Sequence, residues 1–443
     1  MVDQAGGADN GDMKLPIALT PEFSGILDQL EYTSDHLFVT GRAGTGKSTL
    51  LQVFRSTTKK RVVVLAPTGI AALNVRGQTI HSFFGFPPRL LNKNEIEKRK
   101  NFKIFQNLDM IIIDEISMVR ADMIDNIDWF LRVNRGINQA FGGVQMIFFG
   151  DLFQLPPVVA TPFEKQYFQT IYETPYFFSA HIMQDITFKM VELNQIFRQE
   201  ERSFINLLDN IRLNSLDYED FMFLNERHLP LPNEKEFYIT LCSRNDIANR
   251  INDQELKAIS MPSISYQATV VGEFNPQLFP TEFHLELKEG AQVMFVKNDI
   301  NKKYVNGSIG IVHEANPDKI VVRLQNEHEQ HENIEVEKQE WEILKYELDT
   351  EKQGQITTKV IGTFKQYPIK LAWAITIHKS QGKTFDKVII DMGQGAFESG
   401  QTYVALSRCR TLGGIILKQA LKNRDIIVDE RISQYYEQIK YLS

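Results

Sequence analysis

Cysteine is nearly missing from this chain: Cys242 and Cys409 are the two thiols in 443 residues. Two thiols cannot build a disulfide framework or a four-thiolate zinc site, so a reducing compartment is expected and both residues read as packing. Long apolar runs are missing too, although 43% of the residues are hydrophobic, and no membrane-spanning helix or membrane partner is expected. Met1 to Asp12 is polar and glycine-rich. It has neither the apolar stretch of a signal peptide nor the arginines of a transit peptide, and reads as a disordered leader. There is no solenoid-type repeat and no other low-complexity segment.

Positive charge is also short, with 49 Lys and Arg against 56 Asp and Glu, which at face value argues against a polyanionic partner. The window from Glu327 to Lys352, however, holds ten acidic and three basic residues and carries the whole excess. The rest of the chain is neutral, so a basic groove remains open to it. Arg89, Lys93, Lys98, Arg99, Lys100 and Lys103 cluster among Phe83, Phe84, Phe86 and Phe102. This reads equally as a charged helix face or as a surface for a nucleic-acid strand. In the same acidic window His328-Glu329-Gln330-His331 resembles a zinc-protease helix, but the second histidine comes one residue early for a helical i, i+4 pair. A solvated loop is expected there.

What the chain does have is Gly41-Arg42-Ala43-Gly44-Thr45-Gly46-Lys47-Ser48-Thr49, directly after the apolar run His36 to Thr40. This is a phosphate-binding loop in its expected setting. Glycines let successive backbone N–H groups curl around phosphate oxygens, Lys47 adds a cation, and Ser48 offers a hydroxyl to magnesium. A second acidic element completes such a site, and Asp109 to Glu115 supplies it at the end of a buried strand pattern. Asp114 would hold hydrated magnesium and Glu115 would polarise the attacking water. Gln154, in Gly150 to Val158, leaves a further strand where the nucleotide must lie and would orient that water.

The first 150 residues alternate apolar strands (Leu37 to Thr40, Arg61 to Ala66, Asp109 to Asp114, Val144 to Gly150) with helical stretches, predicting a parallel sheet covered on both faces. Ile116, Val119, Met123, Ile127 and Phe130 recur at helical spacing and predict one amphipathic crossover helix. A second alternation places strands at Phe237 to Cys242, Phe385 to Asp391 and Gly413 to Lys418. Between them, Gly290 to Val296, Ser308 to His313, Lys319 to Leu324 and Ile334 to Leu344 read as a meander forming a small inserted β-barrel. Two sheet domains suit an ATP motor, since a nucleotide between them opens and closes a cleft. Arg198 and Arg408 are then the candidates to reach across and stabilise transition-state charge.

These segments resemble PIF-type DNA helicases, of the superfamily 1 group that moves 5′ to 3′, with RecD-like helicases as more distant relatives. The stretches that carry the resemblance are Gly41 to Thr49, Ala66 to Ala72, Thr79 to Phe83, Asp114 to Asp125, Gly150 to Pro157, Phe197-Arg198-Gln199, Trp373 to Gly382 and Tyr403 to Arg410. The resemblance implies an α/β fold of two RecA-like parallel-sheet P-loop NTPase domains, with a disordered leader over 1–14, the first domain over 15–190 and the second over 191–443. It implies a wedge insertion near Arg76 to Lys103 and an SH3-like barrel near 297–363. It further implies ATP and Mg2+ as cofactors, and unwinding of duplex, fork, RNA–DNA hybrid and G-quadruplex DNA. The expected partners are single-stranded DNA, single-strand/duplex junctions and G-quadruplex DNA, with the protein itself a monomer.

Residue by residue, the resemblance assigns ATP to Gly44, Thr45, Gly46, Lys47, Ser48, Thr49, Gln154, Arg198, Gly382 and Arg408, and metal to Ser48 and Asp114. DNA falls to Pro67, Thr68, Thr79, His81, Ser82, Thr376, His378, Lys379 and Ser380, whose hydroxyls, lysine and imidazoles suit phosphates and base faces. Gln381-Gly382-Lys383-Thr384 mimics the end of a second phosphate loop, but Ile377 stands where its first glycine belongs. Phe23 occupies the place where related helicases carry a glutamine that reads adenine; backbone near Leu15 or Pro16, or Gln29, are the alternatives. A cytoplasmic, nucleoid-associated bacterial or phage protein is expected, or a nuclear or mitochondrial one if the chain is a eukaryotic core. The competing readings are a RecD-like subunit and a nucleotide-gated DNA-binding switch without unwinding.

Overall fold

The computed structural model describes residues 20–232, 236–325, 330–349 and 354–442. The leader over 1–14 and His328-Glu329 of the histidine pair lie outside them.

The first lobe is built on six parallel strands: β1 (His36–Gly41), β2 (Val62–Ala66), β3 (Gln78–Thr79), β4 (Met110–Ile113), β5 (Gln145–Phe149) and β6 (Phe188–Leu193), ordered β3-β2-β4-β5-β1-β6. Because side chains alternate along a strand, each strand feeds two cores. Leu37, Val39, Ile112, Ile147 and Phe149 pack on one face with Phe23, Leu50 and Phe54. Phe38, Val63, Ile111, Ile113 and Phe148 pack on the other with Ile124, Ile127 and Phe130. The four strands expected from the sequence are present, and β3 and β6 extend the sheet at its two edges.

The crossover helix starts later than its periodicity suggests, at Ala121–Arg135, preceded by a 3-10 turn at Ile116–Met118. Val119 and Arg120 cause the delay: their extended backbone, ψ 127° and 154°, separates the turn from the α-helix. The polar side of this helix is not solvated either. Asp125 accepts hydrogen bonds from the Tyr172 hydroxyl and from the N–H groups of His181 and Ile182. Arg120 binds Asp122 and Glu164 at 2.8 Å each. The stretch from Ser117 to Asp125 therefore acts as a polar clamp inside the first lobe.

After two helices, Arg202–Arg212 and Tyr218–Asn225, β7 (Ile239–Cys242) opens a second parallel sheet. Among the described residues, ten antiparallel strands interrupt it: β8 (Ile264–Gln267), β9 (Thr269–Gly272), β10 (His284–Leu287), β11 (Gln292–Phe295), β12 (Ile309–Asn316), β13 (Lys319–Gln325), β14 (His331–Val336), β15 (Gln339–Leu348), β16 (Ile356–Gln366) and β17 (Ile369–Leu371). The chain then returns to the second sheet with β18 (Ala374–Thr376), β19 (Val388–Asp391) and β20 (Ile415–Leu417), in the order β18-β7-β19-β20.

The insertion departs from the expected barrel. It runs wider than 297–363, and among the described residues it forms a five-stranded sheet, a three-stranded sheet and a two-stranded ribbon, not one closed barrel. The expected strand Ile334 to Leu344 is two strands separated by Glu337-Lys338. Its acidic residues lie outward while Ile334, Val336 and Trp341 are buried.

Two elements cross between lobes. The β15–β16 hairpin reaches the open flank of β2, where the Tyr346 hydroxyl accepts from Val64 N–H at 3.0 Å and Tyr346 N–H donates to the Gln78 amide oxygen at 3.1 Å. The helix Glu430–Leu442 packs Ile432, Tyr436 and Ile439 into the first lobe's core. The expected boundary at 190/191 also falls inside β6.

Candidate nucleotide and nucleic-acid site

Parallel strands deliver their loops to one edge, and the candidate residues collect at the carboxyl ends of the strands. Gly41 ends β1, Pro67 follows β2, Thr79 ends β3, Asp114 follows β4, Gly150 follows β5 and Thr376 ends β18. The phosphate loop itself needs glycine for two reasons. Gly44 and Gly46 hold φ of 85° and 83°, and side chains are pressed against both. A Cβ on Gly44 would lie 2.5 Å from Arg198 Cβ, and one on Gly46 would lie 2.9 Å from Phe23 Cζ. Arg198 is thus seated on the loop, and Phe197 N–H donates to Gly44 O at 2.9 Å. Phe23 and Phe197 meet edge to face at 6.3 Å, giving the loop an aromatic border.

Lys47 opens the helix Lys47–Thr57 and folds back so that its ammonium donates to Gly41 O at 2.7 Å and to Arg42 O at 2.9 Å. Burial lowers it to about 8, against the opposing pull of the Asp151 and Glu115 carboxylates. Asp114 and Glu115 are both pushed up, first by burial; Asp114 is raised further by its neighbour's charge, while Lys47 opposes the rise in each. Ser48 is exposed at the first turn of the helix. Such a mutually repelling carboxyl pair is a set of hard oxygen donors that suits a divalent cation.

The second lobe adds cations. Arg408, 1% exposed, donates through Nε to Val404 O and through Nη2 to Ser407 Oγ, at 2.9 Å each, and faces Glu115. Burial lowers it to about 10. Arg198 donates to Ser407 O at 3.0 Å and is lowered to about 9, by burial and then by the facing Arg408. Gln154 is buried, its amide 3.4 Å from Asp151 Oδ2. Lys47, Asp114, Glu115, Gln154, Arg198 and Arg408 therefore line one crevice. Gly382 lies in the turn after Ser380, with nothing within 4 Å of the position a Cβ would take.

Three contributors to the crevice were not singled out from sequence. The Tyr403 hydroxyl accepts from Ala43 N–H in the phosphate loop at 2.9 Å. Asp151 forms a buried ion pair with Arg212 at 3.1 Å, and the Arg212 guanidinium lies 4.3 Å from the Phe153 ring centre. Asp151 adjoins Gly150 in an already notable loop, which was the one available signal; a lone Tyr or Arg gives none.

Of the residues assigned to DNA, Thr68, Ser82 and Lys379 are exposed and Pro67, Thr79, His81 and His378 are half-buried. The Thr68 and Thr79 hydroxyls cap the helices that follow them, accepting from Ala71 N–H and Ser82 N–H. His81 is lowered by burial and then by Arg120. His378 Nε2 lies 3.1 Å from Glu398 Oε2. Thr376 and Ser380 are buried, and Ser380 Oγ donates to Ile377 O at 2.6 Å.

A phosphate loop and paired carboxylates on one parallel-sheet lobe, faced by arginines from a second, define a two-lobed P-loop nucleoside triphosphatase. The model of the PIF1-like helicase family matches residues 19–220. The ATP-dependent DNA helicase Pif1 of Campylobacter jejuni is 32% identical over 417 residues, covering 86% of this chain and 89% of that protein. The crystal structure of Bacteroides sp Pif1 in complex with ADP-AlF4 is similar at TM-score 0.87 and 36% identity, over 96% of this chain and 98% of that one. Bacteroides Pif1 bound to ssDNA, at 38% identity over 95% and 97% of the two chains, gives TM-score 0.67. The chain belongs to the PIF1-like helicase family and is an ATP-dependent DNA helicase.

Proposed function

We propose that ATP cleavage in the crevice between the lobes drives this helicase 5′ to 3′ along one DNA strand, opening duplexes, forks, RNA–DNA hybrids and G-quadruplexes. The observation that carries the reading is the convergence of Arg198 and Arg408 on the phosphate loop and Glu115. Charge from one lobe meets the nucleotide seat of the other, so hydrolysis is sensitive to how the lobes stand.

In this mechanism Lys47 exchanges the carbonyls of Gly41 and Arg42 for β- and γ-phosphate oxygens. Backbone N–H groups of Gly44 to Thr49 hold the remaining oxygens. Ser48 and Asp114 would hold Mg2+, which when bound with ATP neutralises charge on the phosphate oxygens. Gln154 orients the attacking water and Glu115 takes its proton, a role suited to a carboxyl already raised by burial. As water bonds to the γ-phosphorus and the bond to the bridging oxygen breaks, Arg198 and Arg408 stabilise the charge on the transferred group.

The strand lies across the carboxyl ends of both sheets, against Pro67, Thr68, Thr79, His81 and Ser82 in the first lobe and Thr376, His378, Lys379 and Ser380 in the second. Thr376 and Ser380 contribute through the backbone they brace. The relatives solved with ADP-AlF4 and with ssDNA support a site for each ligand. The buried thiols of Cys242 and Cys409 fit a cytoplasmic protein, working here as a monomer beside the nucleoid. The test is strand displacement on duplexes with a 5′ or a 3′ tail. Displacement from the 5′ tail alone, dependent on ATP and Mg2+, is the expected result. Displacement from the 3′ tail reverses the polarity, and DNA binding gated by ATP without displacement leaves a nucleotide switch.

A further inference from the structure

Two short segments border the phosphate loop. The first turn of the helix Pro21–Tyr32 carries Glu22 and Phe23, and the stretch that follows β6 carries Asn194 and Phe197. One hydrogen bond joins them: Asn194 N–H donates to Glu22 Oε1 at 3.0 Å. Three residues further on, Phe197 N–H is held by Gly44 O at 2.9 Å. A single short stretch therefore fixes both the Glu22 carboxylate and the Phe197 ring relative to the loop.

The two phenyl rings differ in use. Phe23 is 2% exposed and packs into the core of the first lobe, whereas Phe197 is 52% exposed. A Cβ on Gly46 would lie 3.5 Å from Phe197 Cε2, so one edge of this ring rests on the loop while much of the ring stays open beside it. Glu22 is divided in a similar way. Its Oε1 is taken by Asn194, but its Oε2 is enclosed and, among the described residues, has no hydrogen-bond donor. An enclosed carboxylate oxygen without a donor is unfavourable unless a ligand brings one. Gln29, the amide expected from sequence as a substitute reader of adenine, lies on the same helix about 9 Å beyond Phe23 along the axis.

We propose that the base of the bound triphosphate stacks on Phe197 and donates an N–H to Glu22 Oε2, so that this enzyme hydrolyses guanosine as well as adenosine triphosphate. Both enter the ATP crevice described above, on whose reading this rests. In both, the γ-phosphoryl group passes to water and the nucleoside diphosphate leaves. A carboxylate accepts hydrogen bonds and never donates one. Adenine offers its 6-amino group, while guanine offers N1–H and its 2-amino group, so an acceptor admits either base. Pyrimidines cover less of the ring, and uracil flanks its N–H with two carbonyl oxygens that a carboxylate repels. Pyrimidine triphosphates are therefore the poorer substrates.

The experiment measures KM and kcat of the full chain, with single-stranded DNA present, for the triphosphates of adenosine, guanosine and purine riboside, the last having no amino group. In the parent, the first two KM values are expected within about fivefold of each other and the third about tenfold higher. Glu22→Gln is the decisive variant. Asn194 N–H keeps the amide oxygen in the place of Oε1, which turns the amide N–H groups toward the base, donor against donor. The gap between adenosine and purine riboside triphosphates is then expected to close, and the KM for guanosine triphosphate to rise about tenfold. Asp28→Asn, exposed on the same helix, keeps the parent ratios. Phe197→Ala raises KM about tenfold for all three, and Phe197→Trp restores it. A gap that persists in Glu22→Gln overturns the role of Glu22, and a gap that closes in Gln195→Ala instead moves base reading to that exposed neighbour. A parent that disfavours guanosine triphosphate by more than about 50-fold also overturns it, because an acceptor alone cannot reject guanine. An unchanged KM in Phe197→Ala removes the stacking platform. A parent that hydrolyses none of the three overturns the triphosphate site itself.

Discussion

The Tyr403 hydroxyl and the Ala43 backbone N–H lie 2.9 Å apart, joining the helix Gln401–Leu406 to the phosphate loop across 360 positions of sequence. This bond places the second lobe against the loop in register with Arg408, which follows one turn later on the same segment. Tyr403→Phe keeps the ring and leaves Ala43 N–H buried without a partner, at a cost of about 1–3 kcal/mol. If the bond couples the lobes, DNA-stimulated turnover falls about 5- to 30-fold, as expected for a loss of one or two kcal/mol. Steady-state ATPase together with a thermal melt checks this. A parent-like turnover rate would show that the bond does not help position the second lobe for hydrolysis.

Arg408 is held by its own segment: its Nε and Nη2 are committed to Val404 O and Ser407 Oγ, and the Glu115 charge is among those that act on it. Arg408→Ala is expected to lower turnover by about 10³-fold, with a much smaller effect on nucleotide affinity. Arg408→Lys does not restore turnover, because an ammonium cannot make both anchoring bonds and still face the carboxylate. Single-turnover hydrolysis beside equilibrium nucleotide binding separates the two quantities. An affinity loss that accounts for the whole rate loss removes Arg408 from the charge-stabilising role.

Much of this crevice is legible in the sequence because its parts are local. Gly41 to Thr49 and Asp109 to Glu115 are continuous segments whose residue types are dictated by a phosphate and by a buried parallel strand. What escapes is non-local or short. β3 has two residues, and β6 alternates exposure because it is an edge, so neither produces an apolar run. The extended backbone at Val119 and Arg120 that delays the crossover helix leaves the apolar spacing intact, so no periodicity reveals it. The buried carboxylates Asp122, Asp125 and Asp128 look solvated until Arg120, Tyr172 and Arg132 are folded onto them. Tyr346 reaches Val64 over 282 positions, and nothing local marks either residue.

Tyr346 gives the hairpin β15–β16 its hold on the first lobe. Its hydroxyl satisfies Val64 N–H, its ring meets Phe83 edge-on at 5.9 Å, and its own N–H is taken by Gln78. Tyr346→Phe removes one hydrogen bond and leaves a buried strand N–H unpaired, again about 1–3 kcal/mol. The expected outcome is a melting temperature lower by about 2–6 °C, with nucleotide binding retained. A variant melting within about 1 °C of the parent shows that Val64 N–H finds another partner.

Lys383 carries a dependence of stability on pH that runs against acid. In the unfolded chain the ammonium keeps its ordinary value of 10.5, whereas burial, and then the charge of Lys370, lowers it to about 7 in the folded protein. Between those two values the unfolded chain binds more protons, so this residue makes the protein more stable as pH rises through the window. Below the folded value the lysine is charged in both states and its unfavourable contribution is complete. Lys383→Met has no such contribution. The variant is therefore expected to be more stable than the parent near about pH 6, with the gap closing as pH approaches about 10. Urea unfolding of both proteins across that range measures the gap directly. Two stability curves that stay parallel from acid to base would mean that Lys383 keeps its ordinary protonation in the fold, and that neither burial nor the charge of Lys370 is strong enough to matter.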